Sequence, residues 1–389
     1  MKRSTSQRIL TTHVGSMIRP EKIRQYTIAH AAGEAFDQQD YERTLKAEVA
    51  NVVRKQAACG IDVVSDGEFG KLSWTQYAIP RMSGWEYRPN PQGRLGVRGR
   101  EGVDNFVEFY QQSAQAQPQL RANQGRMAVC VGPITYTDAG KAAMRRDVAN
   151  LRAALEGVQV EEAFLPVVAP CSVSTNYINE YYKSEEEFLF AVADALHEEY
   201  KIITDGGFLV QTDDAILANL HDLVVESGKD YRKWVEMNIE ALNHGLRGIP
   251  ADRVRYHLCW GSWPGPHVND VPLAEIVDIL LKANVQAFSI EAANPRHSWE
   301  WVVWQDTKLP EGKILLPGMI NHAASHVEHP ELVAQRIKRY TDLVGPENVI
   351  ASSDCGFAQG TATARQHQEI VWAKLEALAE GARLASSRM

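Results

Sequence analysis

The sequence predicts an α/β fold built as a single closed (β/α)8 barrel. Two observations carry this. Short β-rich apolar runs alternate with longer helix-like segments from one end of the chain to the other. A polar residue able to do chemistry follows most of those runs. In a closed parallel barrel the C-terminal strand ends share one face, so residues scattered along the chain converge on one pocket.

In chain order, the first strand candidate is residues 9–14, with Ser16 just beyond it. Residues 62–65 come next and lead to Asp66 and Glu68, and residues 127–131 and 164–169 follow. Residues 208–211 lead into Asp213 and Asp214, and residues 254–259 end on Cys259. Residues 287–290 precede Glu291, residues 314–316 run towards Asn321 and His322, and residues 349–352 precede Asp354 and Cys355. Helical stretches lie between them at 185–203, where Phe188, Val192, Leu196 and Tyr200 recur on one face, and at 332–343 and 366–379. Nine candidates are one too many for eight strands, so 127–131 is expected in an added hairpin or rim strand. Residues 83–124, which crowd Arg88, Pro89, Asn90, Pro91, Gln92, Gly93 and Arg94 together, read as a surface excursion. With no internal repeat and no long flexible linker, residues 1–389 read as one catalytic domain.

A chain of 389 residues with 44% hydrophobic content has enough apolar material for a large core, which excludes disordered and fibrous architectures. The net charge of −8 comes from dispersed acidic residues and speaks against general nucleic-acid binding. No stretch approaches the roughly 20 apolar residues of a membrane helix, and residues 1–10 lack the apolar core of a signal peptide. The expected location is the cytoplasm, with no membrane partner. The oligomeric state is left open, a homo-oligomer included. Five cysteines, an odd number thinly spread, argue against a disulfide framework and leave metal ligation or nucleophilic chemistry for any special one. Phosphate-binding loops, dinucleotide fingerprints and Gly-x-Ser-x-Gly elbows are missing from the sequence.

His257 and Cys259 are two residues apart, so on an extended strand both point to one side and could grip one ion. Glu291 ends the next strand and Cys355 the last, and a barrel would add their carboxylate and sulfur to the same end. Soft sulfur with borderline nitrogen suits zinc better than magnesium or calcium. Taken alone, the spacing leaves another reading open: His-x-Cys is common in buried cores, Glu291 could cap a helix, and Cys355 could be a small buried hydrophobe.

The runs YHLCWG, FSIEAANPRH and PENVIASSDCGF resemble the zinc-binding half of the cobalamin-independent methionine synthase family. The resemblance continues in TTHVGS (11–16), DGEFG (66–70) and VQTDD (210–214), in the same order, and covers about residues 11–360. It implies a TIM barrel like that family's catalytic C-terminal domain, in a stand-alone, single-barrel form. It also implies a zinc ion held by His257, Cys259, Glu291 and Cys355 that activates the thiol of homocysteine, with methyl transfer from a 5-methyltetrahydrofolate-type donor. Glu68 and Asp213 would then receive the substrate ammonium, and Ser16 with its neighbouring N–H groups the carboxylate. His13, preceding Ser16 on the first strand, is a further substrate contact. The departing folate nitrogen requires a proton. The 319–326 loop departs from the family's pattern and offers His322 and His326, of which His322 is taken as the donor.

Trp74, Tyr77, Trp260, Trp263, Trp299, Trp301 and Trp304 lie near the expected mouth, where a flat donor could stack or where they simply pack helices. Two rivals share the superfamily. One is a zinc thiol alkyltransferase like epoxyalkane–coenzyme M transferase. The other is a decarboxylase like uroporphyrinogen decarboxylase, which needs no metal and is disfavoured by the His257, Cys259, Glu291, Cys355 set.

Overall fold

The computed structural model describes residues 1–89, 105–116, 126–262, 265–360 and 366–389. Ten strands are assigned among them: β1 (Val63–Ser65), β2 (Trp85–Pro89), β3 (Arg126–Cys130), β4 (Glu162–Val168), β5 (Ile178–Asn179), β6 (Leu209–Asp214), β7 (Val254–Leu258), β8 (Ala287–Ile290), β9 (Ile314–Ile320) and β10 (Ser352–Ser353). Seven form one all-parallel sheet in the order β1-β4-β6-β7-β8-β9-β10. Parallel strands need crossover connections, and helices supply several of them. Ser184 caps the helix Glu185–Asp205 by accepting from Glu187 N, and Phe188, Val192, Leu196 and Tyr200 are all buried along it.

The segment expected as the first strand is not a regular one. It touches both edges of the seven-stranded sheet through single bridges, Thr12 to Val63 and Thr11 to Ala351. The Asp62 carboxylate accepts from Thr11 N at 2.8 Å, while Thr11 O takes both Asp62 N and Val63 N. Side-chain bonding of this kind competes with a ladder, and Gly15 at φ +128° then turns the chain. A buried arginine ties this seam from across the interior: Arg255 donates to Thr12 Oγ1 at 3.0 Å and to His13 O at 2.9 Å, its guanidinium lying over Phe164. The last strand is also shorter than the 349–352 run predicts, because a register shift between Ser352 and Ser353 interrupts its pairing with β9.

The supernumerary run at 127–131 lies outside the main sheet, as β3 in a three-stranded sheet ordered β2-β3-β5. β2 pairs with it antiparallel, so the start of the 83–124 excursion forms a rim hairpin; residues 90–104 and 117–125 lie outside the described residues. Arg81, just before β2, anchors this rim through buried ion pairs with Glu199 at 2.9 Å and Asp147 at 2.8 Å. Among the described residues no helix is long and apolar enough to cross a membrane.

Candidate metal centre

On β7 the side chains alternate. Tyr256 points outward to Asp214 Oδ2, while Arg255, His257 and, just past the strand, Cys259 point to the interior. The same alternation separates the two acids of β6: Asp213 joins the interior, and Asp214 accepts from Ser172, Tyr256, Ile216 N and Leu217 N as a structural acid. Cys355 reaches the site because β9 carries Gly318 where Asp354 crosses it; a Cβ there would lie 2.0 Å from Asp354 Oδ1. Asp354 Oδ1 in turn accepts from Ala292 N and Ala293 N, both at 2.7 Å, and so fixes the residue before Cys355.

One donor atom from each of His257, Cys259 and Cys355 lies within 4.8 Å of the other two, and all three residues are buried. The two sulfurs are 3.5 Å apart and unbridged. Two thiolates on one tetrahedral zinc, at roughly 2.3 Å each, would sit about 3.8 Å apart. His257 Nδ1 contacts Ser289 Oγ at 3.2 Å, an outer partner of the type that orients metal-bound imidazoles. Its other nitrogen, Nε2, is buried with no hydrogen-bond partner among the described residues. Ser262 Oγ donates to Cys355 Sγ at 3.0 Å and Gly261 N to Cys259 Sγ at 3.3 Å. A soft donor trio with one orphaned nitrogen fits zinc.

The electrostatics divide the pair. The hydrogen bond from Cys259 does most to hold the Cys355 thiol well below the usual range, and His257 and His322 add to this against the cost of burial. Cys259 is pushed up by the same shared proton and by burial. Burial pulls His257 down, and its contact with Cys355 more than reverses this. The fourth expected donor, Glu291, lies beside the trio but turns away: Oε1 accepts from Trp260 N at 2.9 Å and Oε2 from Asn294 Nδ2 at 2.8 Å. Burial first, then the charges of Asp354 and Cys355, push its carboxyl up to about 7, with His297 opposing them.

Glu68 and Asp213 are both buried and within electrostatic reach of the trio. Glu68 sits in the left-handed region at φ +59°, a strained place for a residue with a side chain. Its Oε2 makes no hydrogen bond among the described residues and stands 3.8 Å from Arg19. Burial raises Glu68, with Lys71 and Arg19 opposing. Asp213 is pushed up to about 8, by burial first and then by Glu68, although Gln211 donates to its Oδ1 at 2.7 Å. Two carboxylates both raised by burial, one of them further by the other, leave room for a cation. Ser16 lies against the Cys355 loop: its Oγ accepts from Ala358 N at 3.3 Å, and a Cβ on Gly356 would fall 2.1 Å from it. His322 is buried on the loop after β9.

His13 stands apart. Nε2 meets Gln56 Oε1 at 2.7 Å and Nδ1 accepts from Gly15 N at 3.0 Å, so both ring nitrogens are occupied inside the fold. Of the aromatic candidates, Trp260 is wholly buried against His297, Trp304 is buried, Tyr77 bonds Glu199, and only Trp299 is half exposed; Trp263 lies outside the described residues. Sequence reasoning passed over Lys71 and Arg19, the buried cations beside Glu68. It also passed over Arg255, which a period-two reading of RYHLC places on the face of His257 and Cys259.

The family model described as "Cobalamin-independent synthase, Catalytic domain" matches residues 9–85. The methionine synthase of Sulfolobus acidocaldarius is 23% identical over 350 residues, covering 89% of this chain and 85% of its own. That of Thermococcus kodakarensis is also 23% identical over 350 residues, covering 89% and 86%. Among solved structures, a B12-independent methionine synthase from Shewanella sp. W3-18-1, in complex with selenomethionine, superposes with a TM-score of 0.70 at 18% identity over 98% of both chains. Over most of its length the chain is similar to these methionine synthases, and residues 9–85 match the catalytic-domain model of the cobalamin-independent synthases.

Proposed function

We propose that this relative of the cobalamin-independent methionine synthases is a zinc-dependent S-methyltransferase. It moves a methyl group from a 5-methyltetrahydrofolate-type donor to the thiol of homocysteine, in the cytoplasm. The single observation behind this is the meeting of His257, Cys259 and Cys355 at one end of the parallel sheet. With the seam at Thr11 and Thr12 counted as a strand, we read the architecture as a (β/α)8 TIM barrel.

His257, Cys259 and Cys355 would hold the ion, with Glu291 as a fourth, displaceable donor released from Trp260 N and Asn294. Zinc bound there supplies thiolate chemistry at neutral pH, where a free thiol of pKa about 8.5 is mostly protonated. Asp213 and Glu68 receive the ammonium of the amino acid, and the pair supports an amino-acid thiol over one without an ammonium. Ser16 Oγ orients the carboxylate. His322 gives its proton to the departing nitrogen of the donor. His13 acts only by holding Gly15 and so the turn before Ser16.

The test uses zinc-loaded protein. Metal content is measured, and product is followed with homocysteine plus methylfolate and, in parallel, with coenzyme M plus an epoxide. One zinc per chain and methionine formation are expected. Cys259→Ser should lose both while circular dichroism shows a folded barrel. Turnover that persists in the metal-free variant, or turnover confined to the epoxide pair, overturns the proposal.

A further inference from the structure

His322 sits in a loop whose shape is set from outside the pocket. Residues 321–328 leave β9 and return towards the helix Pro330–Val344. The loop is clasped at its base, where Asn321 N donates to Glu328 Oε1 at 2.7 Å. The other oxygen, Oε2, accepts from Lys374 Nζ at 2.9 Å, and the same ammonium donates to His326 O at 2.5 Å. Lys374 belongs to the C-terminal helix Gln368–Ser386. It is wholly buried, and Glu328 is 5% exposed. Within the loop Ala323 N donates to Asn321 Oδ1, and Gln366 Nε2 reaches Ala323 O, both at 2.8 Å.

A lysine with no contact to water is a costly choice. Its ammonium is strongly hydrated when free, and a buried ion pair is often no more stabilising than apolar residues of the same volume. What the pair supplies, and an apolar pair does not, is direction. One carboxylate grips the C-terminal helix with one oxygen and the backbone N–H beside His322 with the other.

We infer that Lys374 and Glu328 are positioning residues for His322, the C-terminal helix setting through them where the 321–328 loop holds that imidazole relative to Cys355. The inference rests on the reading of His322 as proton donor. Two double variants test it without leaving an unpaired buried charge. Lys374→Met with Glu328→Gln keeps an oxygen for Asn321 N, whereas Lys374→Met with Glu328→Leu removes the clasp. Both are zinc-loaded, then compared by hydrogen exchange of the 321–328 peptide and by kcat and KM for homocysteine.

The leucine variant should exchange its loop at least about tenfold faster while β6 to β8 are unchanged. Its kcat should fall by about ten- to a hundredfold, with KM and zinc content held within about twofold. The glutamine variant should stay near wild type in both readouts. In a His322→Gln background the leucine variant should cost nothing more, because it acts through His322. Equal loop exchange and equal kcat in the two double variants overturn the inference, as does an undiminished loss in the His322→Gln background. Wild-type turnover by His322→Gln alone overturns the proton-donor reading and the inference with it. A dead His322→Gln beside a fully active leucine variant overturns the inference only.

Discussion

Gly318→Ala should cripple zinc binding although it alters no donor. The new Cβ would lie 2.0 Å from Asp354 Oδ1, 2.7 Å from Asp354 Cα and 2.8 Å from Asp354 N. Two of those contacts are backbone, so no rotamer change relieves them. To reach ordinary contact the strand-end at Asp354 must retreat by roughly 0.7 Å, and Cys355 goes with it. A zinc site tolerates about 0.2 Å in its bond lengths. A displaced sulfur therefore forfeits about one ligand's share of the roughly 10–16 kcal/mol that a four-ligand structural site supplies, or about 3 kcal/mol and a hundredfold in affinity. The retreat also strains the hydrogen bonds from Ala292 N and Ala293 N to Asp354 Oδ1. Bonds to a charged acceptor contribute about 1.5–3 kcal/mol each, so the metal-free protein should lose roughly 3 kcal/mol or more of folding stability. Competition with a chelator reads the first effect and denaturant unfolding of the metal-free protein the second. Gly132→Ala, whose Cβ would meet nothing nearer than 3.7 Å, is the control and should change neither. Wild-type zinc affinity in Gly318→Ala would refute the claim that close approach at this glycine places Cys355.

Asp213→Asn should raise the KM for homocysteine by about ten- to a hundredfold, the cost of one charge-assisted contact, and leave zinc content unchanged; steady-state kinetics beside metal analysis decide it. Arg81→Met should cost about 3–5 kcal/mol, because it strands the buried carboxylates of Glu199 and Asp147, and a denaturant midpoint equal to wild type refutes this. Burial pushes His13 down to about 4 from 6.5, so above pH 6.5 neither the folded nor the unfolded chain protonates it. As the pH falls from 6.5 to 4 only the unfolded chain takes the proton, and roughly 3 kcal/mol of stability is lost. Urea unfolding at pH 7 and pH 4.5, where about 2.5 kcal/mol of this is already lost, should show an acid loss smaller by that much in His13→Asn than in wild type.

Much of the site was legible because strand periodicity is local. The spacing of His257 and Cys259 decides their common direction within one strand, and the position of Cys355 just past a strand decides its end of the sheet. The first strand was legible as a place but not as a ladder, since the competing bond from Asp62 comes from 51 residues away. His13 was misread in direction for the same kind of reason: its partner, Gln56, lies on a helix packed against the sheet, and nothing in TTHVGS announces it. Glu291 was legible in position and not in aim, because the amides that turn it, Trp260 N and Asn294 Nδ2, belong to loops whose paths follow from tertiary packing. Buried cations were the least legible of all. Lys374 and Glu328 are 46 residues apart, and in the sequence each looks like an ordinary surface charge on a helical or loop segment.

These positions sort by what the reaction would need to keep and what it would need to move. His257 is on a strand, Cys259 follows it by one residue, and Cys355 is fixed by Asp354 clamped on two amides. None of the three can shift without disturbing the parallel sheet, which suits a metal that stays through every turnover. Glu291 and His322 are held differently. Glu291 is parked on two exchangeable hydrogen bonds, and His322 rides on a loop held by hydrogen bonds with Glu328, Lys374 and Gln366. Those two can release hydrogen bonds without unpairing a strand, and they are the two whose proposed work, ceding a coordination place and handing over a proton, happens once per cycle. Rigid elements thus carry the permanent chemistry, and separately tethered side chains carry the transient steps.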